Sequence, residues 1–430
     1  MWFVSKHLEV KEKKFMQKTD NKNGKGIAAD EEQAMVAVAG HICLDIIPSF
    51  GSEERNFGDL FKPGRLVEVG SAVVSTGGAV SNTGLALHRL GVPTVMIGKV
   101  GRDFLGDMVL NVLRSHGPGL AKGMIVDDNS STSYTIVINP PKKDRMFFHC
   151  SGANDVFGNA DIDDQHLGGI RLFHFGYPPL MRKMYGRGGE ELRDLFQRIR
   201  EKRITTSLDM AKPDPTSEGG RKDWNRILER VLPYVDIFQP SLEEILYMID
   251  RQALKSFNNT PSDEGFMTRI DTRLLDNLAD RLIDMGALVV VLKLGNQGLY
   301  LRSGANADRL SYAGGTNLNI TEWANRQLLA PCFRTHVAGT TGAGDCTIAG
   351  LLAGLLTGIS PIAALTAAVG VGACSTETSD ATSGIPSLKA VFNRIQSGWQ
   401  RHNTSIPKPG WQWDKDNAVW KGPLDRSGTD

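Results

Sequence analysis

Apolar and polar positions follow two different periods along this chain. Val36–Ile42 is a continuous apolar run, and Val95–Val100, Leu172–Phe175, Thr205–Asp209, Val235–Phe238 and Leu288–Leu294 are further segments of strand length. Between them lie stretches with helical spacing, among them Gly78–Leu90, stopped by Gly91, and Asp107–His116. Short runs that suit burial on both faces, separated by helices, predict a mostly parallel sheet covered on both sides. The fold class expected is a doubly wound α/β domain, and no internal repeat interrupts the pattern.

Several segments break this rhythm. Residues 46–76 follow the first strand without a helical period. Residues 133–150 read SYTIVINPPKKDRMFFHC, two strand-like runs around a Pro-Pro-Lys-Lys-Asp turn. Together, 46–76 and 133–150 predict a small β-lid projecting from the sheet edge. The alternation in SYTIVIN gives that lid one apolar face, which a second copy's lid is expected to cover, making a homodimer. The polar, irregular stretch 303–332 is expected to be an insertion loop. Residues 1–33, rich in Lys and Glu, are expected to form a poorly ordered leader. The folded domain then spans 34–400, and 401–430 is a tail that Trp411, Trp413 and Trp420 dock onto the body.

Charge and composition narrow the function classes. The chain of 430 residues carries 49 Lys plus Arg against 48 Asp plus Glu, a net charge of +1. That balance argues against a dedicated nucleic-acid binder, which needs a basic excess. The longest apolar stretch, Ile348–Leu356, is about half the ~20 residues that span a bilayer. Early, dense charges in MWFVSKHLEVKEKK do not fit a signal peptide. The five cysteines are scattered and never spaced as CxxC, so neither a disulfide frame nor a zinc site is expected. A cytoplasmic enzyme with no membrane or nucleic-acid partner is the expectation.

The strongest chemical signal is Gly339-Thr-Thr-Gly342-Ala343-Gly344-Asp345, followed by CTIAGLLAGLL. A Gly-rich turn opening a helix presents unpaired N–H groups and the positive end of the helix dipole to an anion. Bare Gly342, Ala343 and Gly344 let a phosphate come close to the backbone. A carboxylate beside an anion site repels the ligand unless it has a proton to take. Asp345 is therefore placed as general base for a hydroxyl attacking a phosphoryl group. No GxxxxGK[ST] occurs and no GxGxxG follows a strand, which disfavours a P-loop enzyme and an NAD dehydrogenase.

GTTGAGD resembles the DTxGAGD signature of the ribokinase-like, or PfkB, carbohydrate kinases. Gly77-Gly78-Ala79-Val80-Ser81-Asn82 with Leu85–Gly91 resembles that family's GG…N…A…LG signature, and Val100-Gly101-Arg102-Asp103-Phe104-Leu105-Gly106 its VGxDxxG stretch. The resemblance spans about Met35 to Phe392. It implies a ribokinase-like α/β fold with a β-lid, and an ATP-dependent kinase acting on a hydroxymethyl group of a small sugar. It also implies Asp45, Gly77, Gly78, Asn82 and Asn154 as sugar-binding residues. Pro240-Ser241-Leu242-Glu243-Glu244 stands at the family's NxxE motif, so Glu244 is implied to organise Mg²⁺, with Ser241 replacing the Asn. Lys293, Gly295 and Gly298 match the (T/K)xGxxG turn against the nucleotide, and Thr376–Pro386 the loop over adenine.

Two further departures stand out. Gly339 replaces the signature's first Asp, so potassium activation is not expected. Cys150 stands where several sugar-acid and ketose kinases carry Arg. Lys142, Lys143 and Arg145 in the lid turn are expected to be solvated. Two other readings stay open. One is a nucleoside or vitamin-precursor kinase, which a stacking aromatic such as Phe147 or Phe148 near Asp45 would favour. The other is a sugar-sensing protein without turnover.

Overall fold

The computed structural model describes residues 35–51, 57–140, 145–258, 270–306, 309–310, 313, 315–316, 318–406 and 408–426. The leader 1–33 and Lys142 and Lys143 of the lid turn lie outside the described residues.

The chain begins with β1 (Val36–Gly40), then β2 (Cys43–Pro48), β3 (Ala72–Gly77), helix α1 (Ala79–Arg89) and β4 (Thr94–Ile97). Next come β5 (Lys99–Gly101), helix α2 (Phe104–His116), β6 (Ile125–Asp127), β7 (Tyr134–Ile138) and β8 (Met146–Cys150). The second half supplies β9 (Leu172–Gly176), β10 (Thr205–Asp209), β11 (Ile237–Phe238), helix α3 (Leu242–Ile249), β12 (Val289–Lys293), β13 (Leu299–Ser303) and β14 (Gln327–Ala330). Helices α4 (Ala343–Thr357) and α5 (Pro361–Ser375) follow, with β15 (Gln412–Asp414) and β16 (Val419–Lys421) at the end.

Ten strands form one sheet in the order β15-β16-β14-β13-β12-β11-β10-β9-β1-β4. The strands from β4 to β12 run parallel; β13, β14, β16 and β15 continue the sheet antiparallel. Burial on both faces explains the continuous apolar runs. Phe173 and Phe175 pack into one core with Leu208, Phe238, Val290 and Leu292. Their neighbours in the pleat, Leu172, Ile237, Val289 and Val291, pack into the other with Val36 and Val38.

Three local features differ from the expectation. The run at 95–100 breaks at Gly98: Thr94–Ile97 joins the main sheet, while Lys99–Gly101 pairs with β6 in a separate two-stranded sheet. The stretch 303–332 is not wholly irregular, because Gln327–Ala330 forms the buried strand β14 against β13. The segment after residue 401 carries β15 and β16, which add two strands to the sheet edge. A buried ion pair, Arg326 to Asp425 at 2.7 Å, fastens its end.

A second sheet, β3-β2-β7-β8, is separate from the first and packs Leu44 of β2 into one core with Val80 of α1 and Met96 of β4. It is the β-lid. Strand β2 pairs antiparallel with β3 and parallel with β7, so Asp45 lies between Ser75 and Thr135.

Candidate active site

The site assembles where β1, β9, β10 and β12 end, at the N-termini of α1 and α4. Ligands of open α/β sheets gather at such strand ends because helix N-termini and loop backbones converge there. Close packing makes the convergence possible. A Cβ on Gly40 would lie 2.4 Å from the Gly176 carbonyl oxygen, and one on Gly78, where φ is +85°, would lie 2.6 Å from His41 Nδ1. Only glycine permits this approach of α1 to the end of β1. The His41 carbonyl accepts from Val80 N at 3.1 Å and so satisfies one first-turn donor of α1.

Asp345 sits in the first turn of α4, buried, behind Gly342, which adopts φ +68°. The Ala343 N–H closes a turn onto the Thr340 carbonyl at 3.3 Å. Asn82 Nδ2 donates to Asp345 Oδ2 at 2.9 Å, joining the two signature helices. The Tyr177 hydroxyl lies 2.8 Å from both carboxylate oxygens. Burial raises the Asp345 carboxyl above its ordinary value; Lys293 and the bonds from Asn82 and Tyr177 pull the other way.

Asp45 lies on β2 with the Cys43 thiol 3.3 Å from Oδ1. Gly77 lies against it: a Cβ there would fall 2.2 Å from Asp45 Oδ2. His41 and His149 bridge body and lid, Nε2 to Nε2 at 3.3 Å, and His149 Nδ1 meets Thr135 Oγ1 at 3.0 Å. Burial first, and for His41 also the neighbouring His149, lowers both imidazoles below their ordinary value, so both are neutral at pH 7. His41 Nδ1 is buried without a hydrogen-bond partner among the described residues.

Asn154 differs from the expectation in its use. It is fully buried, with Oδ1 accepting from Ile42 N at 3.2 Å and Nδ2 donating to Ile42 O at 2.9 Å. Both halves of its amide hold the backbone between β1 and β2. Phe147 and Phe148 are exposed on the lid, Phe148 with its ring centroid 6.0 Å from that of Phe61.

At the other end, Lys293 closes β12 and its Nζ donates to Asp209 Oδ1 at 2.6 Å. A Cβ on Gly344 would lie 3.8 Å from that Nζ, so the ammonium stands beside the α4 N-terminus. Burial pushes the Asp209 carboxyl up to about 8, against the pull of Lys293. Asp209 Oδ2 is buried and has no hydrogen-bond partner among the described residues. Glu244 and Ser241 form a reciprocal cap on α3: Ser241 N donates to Glu244 Oε2 at 2.7 Å and Glu244 N to Ser241 Oγ at 3.3 Å. Ser241 thus keeps a structural use of the position. Gly295 and Gly298 adopt φ +55° and +107° in the turn after β12, and a Cβ on Gly298 would meet the Ala330 carbonyl at 2.0 Å.

Arg145 also departs from the expectation of a solvated lid turn. Its Nη2 donates to Thr340 Oγ1 at 3.2 Å and its Nη1 to Thr341 Oγ1. The lid therefore lays a guanidinium on the Gly-rich loop. Sequence reasoning missed Tyr177, His41, His149, Asp209 and this use of Arg145. One signal was available: His41, Tyr177 and Asp209 all stand at or just past the C-terminal ends of predicted strands.

Comparison with known proteins agrees with this arrangement. The family model described as pfkB family carbohydrate kinase matches residues 33–388. An uncharacterized sugar kinase of Archaeoglobus fulgidus is 25% identical over 272 residues, covering 63% of this chain and 86% of its own. Among solved structures, an Arabidopsis thaliana ribokinase complexed with ribose and ATP superposes with a TM-score of 0.62 at 16% identity, covering 85% of this chain and 99% of its own. A Xylella fastidiosa fructokinase with bound ATP gives the same TM-score at 16% identity, covering 84% and 98%. These two establish a shared fold alone. The matched family model, spanning both Gly-rich segments and the strands from β1 to β14, places the chain in the pfkB family of carbohydrate kinases, phosphotransferases with an alcohol group as acceptor.

Proposed function

We propose that this chain transfers the γ-phosphoryl group of ATP to a hydroxymethyl group of a small, uncharged sugar. The observation that carries the reading is the juxtaposition at α4: a buried carboxylate, Asp345, one turn into a helix whose N-terminus is a bare Gly-Ala-Gly cradle. An anion cradle alone binds phosphate, and a buried base alone takes a proton. Phosphoryl transfer to an alcohol needs both within one turn.

In this reading Asp45, Gly77, Gly78 and Asn82 seat the sugar, and Asn154 fixes the pocket floor by holding the Ile42 backbone. Asp345 takes the proton of the attacking hydroxyl as its oxygen bonds to the γ-phosphorus and the bond to the ADP oxygen breaks. The N–H groups of Gly342 and Gly344, on either side of the Ala343 N–H that bonds the Thr340 carbonyl, and the Lys293 ammonium face the charge that develops. Arg145 adds a second cation when the lid is down, and lid closure excludes water. Lys293, Gly295 and Gly298 shape the nucleotide side. Two carboxylates at the acceptor end, with neutral histidines between body and lid, disfavour an acidic sugar.

The open Asp209 Oδ2 and the Glu244 carboxylate are hard oxygen donors that suit Mg²⁺. When bound, Mg²⁺ would supply neutralising charge to the phosphates. Among the described residues no group of three or more His, Cys, Asp or Glu could hold a metal ion by itself, which suits an ion held partly by its substrate.

The lid carries an exposed apolar face that includes Val73 (58% exposed) and Phe147 (54%), which lie on the same side of the sheet. We read it as the contact of a homodimer, since patches of this kind mark association surfaces.

The test is ADP release from ATP across ribose, fructose, 2-keto-3-deoxygluconate, sugar phosphates and nucleosides, with product mass determined. The reading expects ADP release that depends on one of the uncharged sugars, matched by a monophosphorylated sugar. Acceptor-dependent release with nucleosides alone would overturn the sugar assignment.

A further inference from the structure

Tyr177 follows β9 in a conformation that calls for an explanation. It is a bulky residue with φ +67° and ψ +41°, in the left-handed region, immediately before Pro178. For a residue other than glycine this backbone is strained. Surrounding bonds impose it: Tyr177 N donates to the Asp209 carbonyl at 3.3 Å, and Leu180 N to the Tyr177 carbonyl at 3.0 Å. The result is that the ring turns inward beside His41, centroid to centroid at 6.0 Å, and the hydroxyl arrives at the carboxylate of Asp345.

The two equal distances of 2.8 Å carry the argument. A donor fixed on one lone pair lies closer to one oxygen. This hydroxyl stands over the middle of the carboxylate edge and shares its single proton between both oxygens. Asn82 already occupies Oδ2 from the α1 side. Both oxygens of the base thus already accept a hydrogen bond in the absence of any acceptor, and the shared donor is an alcohol-like O–H, the same chemistry as the substrate's. An acceptor hydroxyl needs one oxygen, and a hydroxyl shared between two can settle on the other.

We infer that Tyr177 is a positioning residue whose hydroxyl occupies the general base until an acceptor arrives, and so suppresses transfer of the phosphoryl group to water. This rests on the kinase reading above. The suppressed reaction is hydrolysis: water gives a proton to Asp345, its oxygen bonds to the γ-phosphorus, and the bond to the ADP oxygen breaks. ADP and phosphate leave, and Asp345 returns the proton to solvent. With the phenolic O–H removed, water meets a carboxylate whose Oδ1 has lost the tyrosine donor while Oδ2 keeps the Asn82 amide.

The experiment measures acceptor-free ADP release from MgATP by wild-type protein, Tyr177→Phe, Tyr177→Asn and the double variant Tyr177→Phe/Asp345→Asn. Asn tolerates the left-handed backbone and is too short to reach the carboxylate, so it covers the case in which the Phe variant misfolds. We expect acceptor-free release to rise at least tenfold in Tyr177→Phe and Tyr177→Asn, and to return to the wild-type level in the double variant. A purely structural tyrosine would lower all rates together and would not raise this one. Unchanged or lower release in both single variants overturns the inference, as does an increase that persists without Asp345. Failure of the kinase reading is a separate outcome, seen as wild-type protein that phosphorylates no sugar in the panel.

Discussion

Gly77→Ala tests the acceptor end of the site with a single added methyl group. Gly77 ends β3 directly across from Cys43, and its backbone is outside the left-handed region, so alanine itself is tolerated. The methyl carbon would stand 2.2 Å from Asp45 Oδ2, 2.7 Å from Cγ and 2.8 Å from Oδ1. Ordinary contact begins about 1 Å further out, so the carboxylate must turn away. It is the end of a short side chain, held on its Oδ1 side by the Cys43 thiol at 3.3 Å, and it can turn. Overpacking of this kind costs about 1 kcal/mol of stability, at the low end of its range, because a side chain and not the backbone gives way. The functional loss is larger. A hydrogen bond to a charged group contributes roughly 1.5–3 kcal/mol, so the acceptor KM is expected to rise about ten- to hundredfold. On the proposed reading ATP lies at the far end, and its KM should stay within about twofold. The assay is steady-state kinetics with each substrate varied in turn, alongside a urea midpoint. An unchanged acceptor KM, or an equal rise in both KM values, refutes the placement of Asp45 on the sugar.

Other expectations follow from the same geometry. Arg145→Ala should lower kcat about ten- to hundredfold with ADP affinity unchanged, while Arg145→Lys recovers only part, since lysine cannot bridge Thr340 and Thr341; full activity of the Ala variant would return this residue to the solvated turn. Asp345 works as a base only when ionised, and burial raises its carboxyl, so kcat should fall with decreasing pH already above the ordinary carboxylate range; Tyr177→Phe removes a bond that lowers the value and should move the limb to higher pH. A limb that stays in place contradicts the coupling of Tyr177 to Asp345. Phe147→Asp, on the exposed lid face, should convert a dimer to a monomer in light scattering at micromolar concentration, and a wild-type monomer would end the dimer proposal.

What was legible in the sequence was whatever local spacing encodes. The run Thr205–Asp209 is a strand over the predicted range, and the parallel α/β class follows from runs that suit burial on both faces. The Gly-rich turn before Asp345 also announced itself, because an anion cradle is built from consecutive residues. Contacts made by topology stayed hidden. Asn82 and Asp345 are 263 residues apart, and Tyr177 and Asp345 168 apart. Its place just past a predicted strand puts Tyr177 near the ligand end of the sheet but not at Asp345, because its role depends on a left-handed backbone set by Asp209 on the neighbouring strand. The strand Gln327–Ala330 is four residues long inside a polar stretch, too short for a period to register, and β15 and β16 are shorter still. Arg145 looked like a loop charge because its partners, Thr340 and Thr341, lie 195 and 196 residues further along the chain.

The central claim is that Asp345 is the base of a phosphoryl transfer and more than a helix cap. Asp345→Asn keeps the size of the side chain and an oxygen for the Asn82 amide, but cannot take a proton. The decisive measurement pairs turnover with calorimetric ATP binding on this variant, using the sugar selected by the panel. The account predicts a loss of about 10²–10⁴ in kcat with ATP affinity retained or improved, since a negative charge beside the phosphates is gone. Turnover above a third of wild type would contradict it and leave Asp345 a cap.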